Sequence, residues 1–413
     1  MNTNCIVAQS GGPTSAINAS LAGVIKAIND SDMYDTVYGS LHGVTGVLND
    51  DFINLTDICK SSDDFLICLS CSPAMFLGSC RYKLPDHEKD NSDYKRIFNT
   101  FEKLNIGAFF YIGGNDSMDT AAKLTAYAKI IGSDVRIVGI PKTIDNDLIC
   151  TDHTPGFGSA AKYIATSILE MAHDTFIYEL QSVTIAEIMG RDAGWLTAAS
   201  ALARNKYNDT PQLIYLPEVA FSFENFLRDV REKLRNSNNI LIAVSEGIRD
   251  KSGEYISCSK SSRDIFGHSQ LSGVGKTLEQ LIKNEIGIKC RSVELNILQR
   301  CASHISSKTD INEAFNLGYS AVKHSEAGNT GFMASICRDS TTPYVAHVEY
   351  VDVAEVANKV KSVPRNWISP AGNDVSDELV EYIRPLIQGE TETSFENGLP
   401  RYTNISHLIS HSA

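Results

Sequence analysis

The sequence has no apolar run of about eighteen residues, the length that a membrane-spanning helix needs. Basic charge is in deficit: 37 Lys and Arg face 50 Asp and Glu, a formal charge of −13. That balance argues against nucleic acid or an anionic membrane as the main partner. It leaves room for an anionic small substrate in a local basic pocket. The amino terminus, MNTNCIVAQSGGP, lacks the basic region and long apolar segment of a secretory leader. The ten cysteines are scattered through apparent strands and helices, and they read as reduced thiols of a cytoplasmic protein. There is no internal repeat and no low-complexity linker. The first apolar run ends in GGPTSA instead of G-x-G-x-x-G, which removes a plain dinucleotide-binding dehydrogenase.

What is there is a globular composition, 43% apolar and 21% charged over 413 residues, enough for two domains. Strand-like and helical runs alternate. Residues 4–9, 36–43, 64–70, 108–114, 134–141, 182–190, 212–218 and 239–247 read as strands. Residues 117–132, 158–174, 194–204 and 224–236 carry helical periods, and another helical stretch ends at 107. Few hairpin signals separate them, so the expectation is an α/β fold with mainly parallel sheets and helices on both faces. The chain from about 340 is less regular and reads as a segment packed on the core.

In open parallel sheets, ligands bind outside the carboxyl ends of the strands. The unusual residues gather there: Gly11 and Gly12, then Gly113-Gly114-Asn115-Asp116-Ser117, then Met189-Gly190-Arg191, then Ser245-Glu246-Gly247. A glycine pair before a helix is ordinarily a tight turn, though it also lets backbone N–H groups approach a phosphate. Residues 115–117 could equally cap the helix that follows. Arg191 taken alone could be a surface ion-pair partner. With the end of the strand at 134–141, which runs into residues 141–147, five such strand ends are better explained by one shared pocket.

The stretch PKTIDND, residues 141–147, is the sharpest feature. Asp145 and Asp147 stand one residue apart, so in extended backbone both carboxylates would face the same side. One can take a proton from a hydroxyl while the other holds a cation or orients the first. Lys142 adds a movable positive charge. Acids, a lysine, glycine-rich anion loops and an arginine together fit phosphoryl transfer, which is largely positioning and charge neutralisation.

GGNDS at 113–117, PKTIDND at 141–147, MGR at 189–191, LGSCR at 77–81 and LQR at 298–300 resemble, in order and context, the phosphofructokinase family, over residues 5 to about 325. The resemblance implies two Rossmann-like domains with the active site in the cleft between them. Within the family, Asp116 and Lys142 resemble the branch that uses pyrophosphate, since ATP-using relatives carry glycine at both places. A carboxylate at 116 would repel the α-phosphate of ATP, and an ammonium at 142 could neutralise the smaller donor. The implied activity transfers a phosphoryl group from pyrophosphate to the 1-hydroxyl of fructose 6-phosphate, reversibly and with Mg2+. The alternatives are an ATP-dependent phosphofructokinase and, further off, a non-catalytic regulatory subunit.

By the same resemblance Asp145 is the general base, and Thr143, Met189, Gly190, Arg191, Glu246 and Gln299 bind the sugar phosphate. Arg191 also meets charge in the transition state, and Arg291 and Arg300 grip the 6-phosphate. Gly11, Gly12, Arg81, Gly114, Asp116, Ser117 and Lys142 serve the donor; Asp147 and Asn115 serve the metal. One of the paired arginines reaches from a neighbouring subunit in bacterial relatives, which implies a homodimer or homotetramer. The chain departs from the family at Ser182, where ATP enzymes carry a substrate arginine, and at Ile297, in place of a histidine or tyrosine. It departs again at Pro73-Ala74-Met75, in place of Gly-Gly-Thr. The expected partition is 1–147 with about 250–305 for the donor, 148–249 with about 306–340 for the sugar, and a segment from about 341 to 413. Asp264–His268 resembles a stretch of pyrophosphate-type relatives but has no assigned role.

Overall fold

A computed structural model describes residues 2–62, 64–177, 179–256 and 273–405; the stretch 264–268 lies outside them. Two sheets organise the chain. The larger is built from β1 (Thr3–Gln9), β2 (Tyr34–Ser40), β3 (Phe52–Asn54), β4 (Ile106–Gly113) and β5 (Arg136–Pro141). The smaller holds β6 (Ser182–Ile188), β7 (Leu213–Tyr215), β8 (Asn239–Ser245) and β9 (Lys289–Glu294). The chain then returns to the larger sheet with β10 (Phe332–Thr341) and β11 (Tyr344–Asp352). The orders are β11-β10-β5-β4-β1-β2-β3 and β7-β8-β6-β9. Within these two sheets the described pairings are parallel except at the two edges of the larger one, where β3 and β11 run antiparallel.

The near-continuous apolar strands follow from helices covering both faces. Along β4, Ala108, Phe110 and Ile112 enter one core, and Phe109 and Tyr111 enter the other. In the smaller sheet Val183 and Ile185 face one core while Ala186 and Ile188 face the second. From β1 the chain proceeds to β2 on one side, and β4 lies on the other. The carboxyl ends of β1 and β4 therefore flank a point of topological reversal, where open α/β sheets bind ligands.

Three expectations need correction. Residues 64–70 do not form a strand: Phe65–Cys71 is helical, with Phe65 and Leu69 buried four residues apart and Ile67 exposed. A seven-residue apolar run fits either period, and here helical spacing wins. Strand β9 and helix Lys308–Glu326 also sit opposite to the partition expected for 250–305 and 306–340. β9 pairs with β6, and Cys290 joins the core of Val183 and Ile240. Helix Lys308–Glu326 instead packs on Ile17–Asn29, sending Leu317, Ala321 and Val322 beneath the larger sheet. A boundary near 341 would cut the β10–β11 hairpin, whose second strand is the edge of the larger sheet. Beyond it the chain crosses to the smaller sheet's core through Val363, Ile368, Leu379 and Ile383. Among the described residues no helix is long and apolar enough to cross a membrane.

Candidate active site

The turn after β1 is held open by glycine. Gly11 has φ +80°, and a Cβ there would lie 3.2 Å from Lys142 Nζ. That ammonium, 1% exposed, passes under the turn and donates to Gly12 O at 2.6 Å. Lys142 N donates to Gly113 O, so β4 and β5 bring the GGNDS and PKTIDND motifs together. Gly114 caps helix Asn115–Ile131, whose first turn carries the exposed Asp116 and the buried Ser117. The loop bearing the exposed Arg81 hangs from the same turn, with Ser79 Oγ donating to Gly11 O at 2.8 Å.

Burial lowers the Lys142 pKa to about 7 against the opposing pull of Asp145 and Asp147, with Arg300 adding to the fall. Burial raises Asp145, opposed by Arg191 and Lys142. Asp147 is pushed up to about 7 by burial and then by Asp145. The two carboxylates do sense each other, but not through an extended strand. Asn146 between them is left-handed (φ +51°), and its buried side chain anchors a turn by accepting from Thr154 N and donating to Tyr382 Oη. Asp145 N closes the turn onto Thr143 Oγ1 at 3.2 Å.

The smaller sheet supplies the opposite wall. Gly190, at φ +143°, follows β6, and its N–H makes a long contact of 3.4 Å with Glu246 Oε1, just past β8. Gly247 lacks the Cβ that would otherwise fall 2.1 Å from Arg191 O. Glu246 is pushed up to about 7, by burial first and then by the nearby Asp145 and Glu187. Met189 N makes a long contact of 3.4 Å with the buried Gln299 Oε1. Arg300, next in sequence, lies near Gly12 and Lys142. Two buried donors, Arg191 Nε and Gln299 Nε2, find no acceptor among the described residues.

Not every expected residue joins this cleft. Arg291 sits opposite Thr184, in the first half of β6, and its guanidinium pairs with Asp174. Asn115 spends its amide elsewhere: Oδ1 accepts from Asn358 N and Nδ2 donates to Lys359 O, both at 2.5 Å. Ser182 bonds Asn239 and Ile297 is exposed. Sequence reasoning also missed a brace. Lys361 N donates to Asp147 O at 2.7 Å, and its Nζ reaches Asn146 Oδ1, Thr151 O and Asp152 O. Burial brings its pKa down to about 8. A lone lysine in an irregular segment offers no signal of such a role. Gln9 and Asn18, which hold the 72–77 loop through Leu77 N and Phe76 N, were equally silent.

The phosphofructokinase family model matches residues 4–325. The chain is 40% identical to a pyrophosphate–fructose 6-phosphate 1-phosphotransferase of Halomonas elongata, over 98% of this chain and 96% of that one. It is 39% identical to a protein of the same name from Methylococcus capsulatus, again over 98% and 96%. Its fold matches the crystal structure of a pyrophosphate-dependent phosphofructokinase from Marinobacter aquaeolei with TM-score 0.87 and 37% identity, covering 97% and 95% of the two chains. The chain, from its glycine turns to its two-sheet cleft, belongs to the phosphofructokinase family.

Proposed function

We propose that the chain transfers a phosphoryl group from pyrophosphate to the 1-hydroxyl of fructose 6-phosphate, giving fructose 1,6-bisphosphate and phosphate. The observation that carries the donor assignment is the Lys142 ammonium lodged beneath the Gly11-Gly12 turn. Its side chain fills space that a glycine would leave to a nucleotide's phosphates, and Asp116 adds repulsion at the helix start. The names of relatives spanning almost the whole chain support the same donor.

Asp145 takes the proton of the 1-hydroxyl as that oxygen attacks phosphorus; burial, which raises its pKa, makes the carboxylate more basic, as a general base requires. The leaving phosphate departs with the bonding pair toward Lys142, whose lowered pKa returns upward beside an anion. Arg191 neutralises the oxygens of the group in flight. Thr143, Met189, Gly190, Glu246 and Gln299 hold the sugar phosphate, and sugar oxygens would satisfy Arg191 Nε and Gln299 Nε2. Arg300 meets phosphate from beside Gly12. Gly11, Gly12, Gly114, Ser117 and Arg81 receive pyrophosphate. Bonds of similar kind break and form, so the reaction is reversible.

Mg2+ fits the mutual repulsion of Asp145 and Asp147, with Asp147 as its carboxylate ligand. Asn115, already bonded to residues 358 and 359, does not fit. Bound there, Mg2+ would offset charge on the donor oxygens. The reading includes a cytoplasmic homodimer or homotetramer in which Arg291, paired with Asp174 in its own chain, serves the neighbouring copy. Nine described cysteines, all unpaired, suit that compartment. A coupled assay offering pyrophosphate and ATP in parallel tests the reading. Turnover with pyrophosphate and near inertness with ATP is expected; robust ATP activity without pyrophosphate activity would reverse it.

A further inference from the structure

The β10–β11 hairpin separates two kinds of residue by its alternation. Arg338 turns inward, pairing with Asp152 at 2.8 Å and lying over the Tyr382 ring. Its neighbours Cys337 and Asp339 lie with His347 on the outward face. Cys337 and His347 are direct cross-strand partners, and Asp339 occupies the register shift between Arg338 and Ser340. One ligand atom from each of Cys337, Asp339 and His347 lies within 4.8 Å of the other two. His347 Nδ1 stands 2.8 Å from Asp339 Oδ2, and its Nε2 stands 3.3 Å from Glu349 Oε1. We infer that Cys337, Asp339 and His347, with Glu349 beside them, form a binding site for one divalent transition-metal ion of zinc's class.

The donor chemistry selects the ion. A thiolate and an imidazole favour zinc over magnesium or calcium, which take oxygen ligands. Zinc bonds of ~2.0–2.3 Å place tetrahedral ligand atoms about 3.3–3.8 Å apart, so rotations of exposed side chains on a preformed hairpin close the set. The bland explanation is an ion pair guarding the edge strand β11 against unwanted pairing. Charge alone would serve that purpose, and a cysteine facing the histidine adds nothing to it. At present the carboxylates hold His347 above its ordinary pKa, and partial burial and the same carboxylates raise Cys337. A bound cation replaces the thiol proton and any imidazolium proton, both released to water.

The test uses the full chain, stripped of metal with a chelator and titrated with Co2+ alone. A thiolate-to-cobalt charge-transfer band that saturates at one equivalent is expected. Cys337→Ser should abolish the band, and His347→Ala should weaken Co2+ binding at least tenfold. Zn2+ should displace the cobalt and raise the melting temperature of the unmodified chain but not of Cys337→Ser. Circular dichroism in chelator checks that both variants fold, and their Mg2+-supported turnover should match the parent. Absence of the band, or its survival in Cys337→Ser, overturns the site; the latter would assign cobalt to another cysteine.

Discussion

Among the described residues the Lys142 ammonium donates one hydrogen bond, to Gly12 O, and it otherwise feels the carboxylates of the next turn. On the proposed function its length and charge, with Asp116 exposed in the first turn of helix Asn115–Ile131, would make donor choice a matter of two residues. Replacing both by glycine is expected to lower kcat/KM for pyrophosphate and to admit some ATP, as read by parallel coupled assays. The proposed function gives Asp145 a separate role, as general base. Asp145→Ser should cost at least about a hundredfold in kcat, as loss of a general base typically does. KM for fructose 6-phosphate should change little, because Arg300, Gln299 and Arg191 remain. The residue types at these places were legible from the sequence, since carboxylates and a lysine at a strand end have few other uses. Asn115 was read less well. An amide at a helix start can bind almost any neighbour, and only the folded chain brought residues 358 and 359 to it.

At the scale of elements, the PKTIDND turn is positioned from outside. Residues 358–363 link the start of helix Asn115–Ile131 to the turn at Asp147, and then to the smaller sheet's side: Trp195 Nε1 donates to Lys361 O at 2.8 Å, and Val363 N to Glu218 Oε1 at 2.9 Å. Lys361→Met would leave Asn146 Oδ1 and two carbonyls short of a donor. It should lower kcat by roughly tenfold or more through misplacement of Asp145, with a smaller effect on KM. A KM change with kcat intact would count against this positioning role. Helices Ile17–Asn29 and Lys308–Glu326 illustrate a second constraint. A Cβ at Gly23 would fall 2.1 Å from Phe315 O, and one at Gly318 2.1 Å from Ser20 O. Gly318→Ala should therefore cost about 1–3 kcal/mol of stability by overpacking, measurable by urea denaturation. Helix Lys308–Glu326 was not among the helical runs read from the sequence, and no local feature of it discloses which sheet it covers.

Across the molecule, a largely buried ionic network ties the chain after the PKTIDND turn to its last third. His153, 1% exposed, lies 2.7 Å from both Asp152 and Glu313. Arg338 of β10 holds Asp152, Tyr344 of β11 donates to Glu313, and Tyr382 donates to Asp152 O. Burial works against the imidazolium, yet Glu313 and Asp152 outweigh it and hold the His153 pKa at about 9, above 6.5. The linked stability is fully present below the unfolded value and fades as pH rises through the folded one. Melting temperatures between about pH 6.5 and 9.5 should fall more steeply for the unmodified chain than for His153→Gln. Lys361, with its pKa lowered to about 8, acts in the opposite direction, and the comparison between the two chains removes its contribution.

Local chemistry was enough for the fold class and the motif residues. Alternating apolar runs can be buried on both faces only between helices, and glycines, acids and a lysine at strand ends advertise their purpose by type and spacing. Tertiary structure decided what depends on distant chain. It assigned β9 and helix Lys308–Glu326 to their sheets, made Phe65–Cys71 a helix, drew Asn115 away from the expected metal site, and brought Lys361 under Asp147. The physical reason is that burial, packing partners and hydrogen-bond acceptors belong to pairs of residues hundreds of positions apart, and no local pattern encodes a pair.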